Sequence, residues 1–154
     1  MKPTDILMKE HFLILRAIHT VDLELVKLKD GKGTPVFFLD LSDFIKGYAD
    51  GCHHAKEENV FFKYVKSASG LAADEPIALM LSEHAQGRVF NDRLHAAALL
   101  WQAGDTSVIH QVAQYAEEYA KFIREHISKE SRIVFAMGDQ FIDKDKYQEI
   151  ADAF

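Results

Sequence analysis

Four stretches of the chain repeat apolar side chains at steps of three and four, and each stretch closes near a glycine. That period buries one stripe of an α-helix, whereas a half-buried strand would alternate at every second residue, a pattern the chain lacks. The first stripe carries Leu7, His11, Ile14, Ile18, Val21, Leu25 and Leu28, from an N-cap at Thr4 to Gly31 and Gly33. The second begins near Asp40 or Ser42 and runs to about Gly70 through Ile45, Ala49, His53, Glu57, Val60 or Phe61, and Tyr64. The third opens with Asp74 as cap and Pro76 in its first turn, then carries Ile77, Met80, His84, Gly87, Asn91, Leu94, Ala98 and Trp101 before Gly104. The fourth, from about Asp105 to Gly138, keeps Ile109, Val112, Ala116, Tyr119, Ile123, His126, Glu130, Ile133 and Met137 in register.

Four such helices with short connections predict an all-α fold, an up-down-up-down four-helix bundle. Residues 141–154, with Ile142, Tyr147, Ile150 and Phe154 on one face, predict a short C-terminal helix. A chain of 154 residues suits one core, so residues 1–154 are expected to form a single domain.

Each stripe is interrupted by polar residues of only a few kinds. Inward-facing positions hold His11, His53, Glu57, His84, His126 and Glu130. The segments HHAKEENVFF at 53–62 and HISKESRIVF at 126–135 share H-x-x-K-E with a phenylalanine nine residues after the histidine. His53 follows His11 by 42 residues and His126 follows His84 by 42, while Glu57 and Glu130 follow the same two histidines by 46. One half of the chain echoes the other. A histidine and a glutamate four residues apart lie on one helical face, one turn apart, so both can reach the same ion. Two carboxylates in one core layer would repel each other and resist burial unless cations sit between them. His54 and Glu58 form a rival pair one residue out of step. The echo selects His53 and Glu57, because Ile127 and Ser131 fill the rival places on the fourth helix, and His54 is expected beside the ligands or in solvent. Glu10 and Glu83, each next to a histidine of the set, point about 100° away and are expected in solvent. His19, His95 and His110 fall off the stripes and read as surface or structural residues.

The segments EHFLIL, CHHAKEENVFF, PIALMLSEHAQGR and EHISKESRIVFAMGD resemble the successive motifs of the hemerythrin family in its bacterial and archaeal HHE cation-binding branch, over nearly the whole chain. The resemblance implies His11 and His53 on one ion, His84 and His126 on the other, and Glu57 and Glu130 bridging. It also implies two iron ions joined by an oxo or hydroxo bridge, able to bind dioxygen, nitric oxide or peroxide. The ligand types alone leave manganese and zinc open. Oxygen-carrying hemerythrins have a fifth histidine four residues after the one on the third helix, and Arg88 stands there in this chain. Four histidines leave open positions on the ions, which favours sensing or redox reaction over simple oxygen carriage, and Tyr48 or Tyr119 is available to fill a vacancy. Three functions therefore stay open: a di-iron protein binding dioxygen or nitric oxide in sensing, detoxification or iron handling; a redox enzyme removing peroxide or reducing nitric oxide; and a structural bundle with incidental metal.

The net charge of −6, with both signs scattered, gives no basic face for nucleic acid. The longest apolar run, Ala96 to Trp101, is six residues, far short of the roughly 20 that span a bilayer. A lone Cys52 and an N-terminus without a signal pattern point to a reducing, cytoplasmic setting.

Overall fold

The computed structural model describes residues 1–154, and the chain is helical almost throughout, with no strand. Helix α1 spans Pro3–Lys29. Helix α2 runs over residues 35–69 and α3 over Asp74–Gln102. Helix α4 covers residues 106–141, and α5 is the short Tyr147–Ala153. Helix α3 packs against both α2 and α4, α1 closes the ring against α4 and the middle of α2, and α5 folds back onto α1. No helix is long and apolar enough to cross a membrane.

Several helix ends differ from the sequence reading. Helix α1 begins two residues early, at Pro3 with Lys2 in the cap position, and the Thr4 side chain bonds Asp139 at 2.6 Å instead. Helix α2 starts at Pro35 rather than at Asp40 or Ser42. A proline at the first helical position lacks only an N–H that would be orphaned anyway, and it serves as the start signal that an acidic cap was expected to give. Asp74 lies inside the first turn of α3, where it pairs with Lys66 at 2.7 Å, and the cap position falls on Ala73. Asp105 does cap α4, accepting from the Ser107 amide. Helix α4 passes through Gly138 to Phe141. A Cβ at Gly138 would sit 2.4 Å from Phe61 Cζ, so this glycine permits close packing of α2 on α4 and ends nothing.

Helices α2 and α4 are not α-helical throughout. Wider turns, closed by bonds from residue i to i+5, occupy Ile45–His54 and Glu57–Phe61 in α2 and Ser131–Phe135 in α4. More residues per turn means a smaller angle between neighbours, so adjacent side chains can share the buried face. His53 with His54, Phe61 with Phe62, and Val134 with Phe135 are all buried as adjacent pairs.

The apolar core is divided. One cluster gathers Ile14, Ile18, Phe38, Leu94, Val112, Tyr119 and Ile123 with their neighbours. The other gathers Leu7, Phe61, Phe62, Met80, Phe135, Ile142 and Ile150, so α5 caps it as expected of a short C-terminal helix. Between the two clusters lies a polar layer.

Candidate metal centre

The layer contains all six residues that the sequence placed there. His11, His53, Glu57, His84, His126 and Glu130 are each at most 2% exposed. Their positions along the helices agree: His53 lies sixteen residues before the end of α2 and His126 fifteen before the end of α4. The continuation of α4 beyond Gly138 brings the two level.

Donor atoms fall into two groups, within each of which every ligand atom lies within 4.8 Å of the others. His11, His53, Glu57 and Glu130 form one; His54, His84 and His126 form the other. Glu57 spans both. Its Oε1 lies 3.0 Å from His53 Nε2, and its Oε2 lies 3.6 Å from His84 Nε2. Glu130 Oε2 likewise faces His11 Nε2 at 3.3 Å and His126 Nε2 at 3.5 Å. A carboxylate with one oxygen toward each group, or one oxygen between them, is disposed to link two ions.

His54 corrects the sequence reading. It is buried, stacks on His84 with ring centroids 3.9 Å apart, and belongs to the second donor group. The adjacent pair at the equivalent place on α4, His126 and Ile127, is buried in the same way. Of the rival pair, His54 joins a donor group and Glu58 stands outside it. Glu10 and Glu83 also leave their expected solvent positions. His53 Nδ1 donates to Glu10 at 2.9 Å and His126 Nδ1 donates to Glu83 at 2.9 Å. Lys56 holds Glu10 and Lys129 holds Glu83. His84 Nδ1 donates to Glu58 at 2.8 Å and His54 Nδ1 to Asp50 at 3.2 Å, and Arg88 forks across both carboxylates. His11 Nδ1 lies 3.3 Å from Ser131 Oγ.

These outer bonds set the inner chemistry. A carboxylate only accepts, so each Nδ1 facing one carries the proton, and each Nε2 presents a lone pair to the layer. The charges of the outer carboxylates are stable where they stand. The His84 bond, assisted by Arg88, holds Glu58 at about 2 against the opposing effect of burial. Burial works against the charge on Glu10, but His53 and Lys56 outweigh it and keep that carboxyl below its usual range. Burial pushes the His54 imidazole down to about 3, and it also lowers His11 and His126, so these rings are neutral donors at pH 7.

The inner layer lacks such hydrogen-bond partners. The Nε2 atoms of His11, His53, His84 and His126, with both carboxylate oxygens of Glu57 and of Glu130, are buried without any hydrogen-bond partner. Burial, then repulsion from Glu130, pushes the Glu57 carboxyl well above the carboxylate range. Eight orphaned lone-pair atoms around one space, all on residues chosen for metal-ligand type, fit cations and fit little else. Phe135 stacks on His11 at 5.0 Å and Phe62 on His84 at 5.9 Å, so apolar rings wall the layer on the side of the second core cluster.

Tyr119 is fully buried and lines a cleft with His54 and His84, while Tyr48 stacks on Phe44 at 5.3 Å. His19 and His110 are exposed and His95 is partly so.

Comparison with known proteins agrees with the geometry. Uncharacterized proteins of Mycobacterium bovis and of two strains of Mycobacterium tuberculosis are each 24% identical over 149 residues, 96% of this chain. The chain spans 58% of the length of these relatives. No solved structure matches. The family model described as the hemerythrin HHE cation binding domain matches residues 2–138, which takes in every residue of both donor groups and their outer partners. The chain belongs to the hemerythrin HHE cation-binding family.

Proposed function

We propose that the chain holds two iron ions and binds an uncharged diatomic molecule, dioxygen or nitric oxide, at the reduced centre. His11 and His53 would hold one ion, His54, His84 and His126 the other, with Glu57 and Glu130 bridging. The observation that carries this reading is the set of eight orphaned nitrogen and oxygen atoms facing one another in a layer sealed above and below by apolar side chains. Imidazole and carboxylate donors without thiolate suit iron. Bound iron would supply the redox change and the open coordination position on which such a ligand depends.

The chain's own residues do the rest. Glu10, Glu83, Glu58 and Asp50 fix the tautomer and tilt of four histidines through Nδ1, so each Nε2 is aimed before any ion arrives. Phe62 and Phe135 exclude water from one side of the layer. Purified protein from iron-replete growth is expected to hold close to two irons per chain, with an absorbance that changes on reduction and again on exposure to dioxygen or nitric oxide. Less than one iron per chain and an absorbance indifferent to both gases would overturn the reading.

A further inference from the structure

The two halves of the centre are related by a shift of 73 residues along the chain, which carries His11 to His84, His53 to His126 and Glu57 to Glu130. The same shift carries Glu10 to Glu83, Lys56 to Lys129 and Phe62 to Phe135, and each member of these pairs makes the corresponding contact. On one flank the correspondence breaks. Ile14, Leu15, Ile18, Ile123 and Ile127 answer to Gly87, Arg88, Asn91, Asp50 and His54. Ile14, Ile18 and Ile127 are buried and fill the His11 flank, while Ile123 borders the space on the other side. Their polar or side-chain-free counterparts line a cleft of about 210 Å³ that ends on His54 and His84. Where one half packs hydrocarbon, the other leaves space.

Arg88 lies across this cleft. Its guanidinium reaches Asp50 at 2.8 Å and Glu58 at 2.8 Å, the two carboxylates that orient His54 and His84. The lining also includes Lys46 and Asp92, so its two positive and two negative side chains, Lys46, Arg88, Asp50 and Asp92, balance. A lining without net charge offers an anion no electrostatic steering.

We propose that small uncharged molecules reach the centre by one way in, the cleft over His54 and His84, while the His11 flank is closed. This rests on the reading of the two donor groups as a metal centre. The ion beside His54, His84 and His126 is then the one that meets incoming molecules, and Arg88 is a positioning residue that holds the cleft's two carboxylates in place.

Crystals of the protein as purified, pressurised with xenon, test the opening without reference to metal. Xenon is expected among His54, His84, Gly87 and Ile123. No xenon there, or xenon beside Ile14, Ile18 and Ile127, overturns the proposal. A second arm uses iron-loaded protein and stopped-flow mixing. Gly87→Leu, whose Cβ would meet only the Phe122 ring, is expected to slow nitric oxide association about tenfold with iron content and melting temperature preserved. Asp92→Asn is expected to raise the association rate of azide several-fold and leave that of nitric oxide unchanged. An unaltered nitric oxide rate in a folded, iron-replete Gly87→Leu protein sinks the proposal while the metal centre survives. Iron-free wild type sinks the metal reading, and the xenon position still decides where the bundle is open.

Discussion

An imidazole that must bind a cation through Nε2 needs its other nitrogen committed, because an uncommitted ring can rotate or present its N–H to the ion. Four histidines here meet that need with carboxylates, and each carboxylate is held in turn by Lys56, Lys129 or Arg88. Glu10→Gln and Glu83→Gln keep the shape but allow the amide to donate toward Nδ1, which favours the wrong tautomer. Each is expected to weaken iron binding by about 10- to 100-fold in competition with a chelator, with helix content unchanged. His54 makes a sharper case. Its counterpart is Ile127, a side chain that fits the same kind of position, so His54→Ile removes a donor without opening a hole. The variant is expected to retain the ion at His11 and His53 and lose most of the other, so that iron per chain falls toward half. Full iron content in that variant would return His54 to a packing role.

At the scale of the helix, the eight glycines are not equivalent. Gly138 meets the Phe61 ring where its Cβ would be, and Phe61 is fully buried between α2 and α4. Gly138→Ala must push that ring aside and is expected to cost about 1–3 kcal/mol, read as a lower midpoint in denaturant unfolding. Gly47, inside α2 with nothing within 4 Å of an added Cβ, gives the opposite sign. Gly47→Ala is expected to stabilise by about 0.5–1 kcal/mol in the same assay, since it only removes backbone freedom from the unfolded chain. These elements also mark how far the sequence could be read. Four helices, their order and six of the inward polar residues follow from a period near 3.6, because burial of a stripe forces that period wherever the turn is α-helical. His54 lies one place off that stripe, as its buried counterpart Ile127 does, and a helix neighbour covers such an edge position in a way that one helix's period cannot show. Helix α2 starts at a proline and not at an aspartate or serine cap, and the bonds from Glu10 and Glu83 run between helices, where a wheel drawn for one helix cannot show them.

For the molecule as a whole, the polar layer is the weak storey between two apolar ones, and its cost depends on what occupies it. Without cations, Glu57 is pushed toward its protonated form by burial and by Glu130, and the four inward Nε2 atoms have no donor to accept from. With cations, those same atoms become the tightest tie among α1, α2, α3 and α4. Chelation of the metal is therefore expected to lower the melting temperature, by an amount that grows with the free iron concentration used for the loaded sample. An excess of 100 times the dissociation constant corresponds to about 2.7 kcal/mol. Such a shift alone shows that metal binds the folded state. It does not show that the carboxylates carry the cost. The double variant Glu57→Leu with Glu130→Leu separates the two, because well-packed apolar groups in place of buried charges are commonly neutral or stabilising by about 1–4 kcal/mol. It is expected to melt above metal-free wild type, to bind no iron and to ignore chelator. Were it to melt no higher than metal-free wild type, the two glutamates would not be the groups that make the empty layer costly, and the physical reason for placing cations between them would be gone.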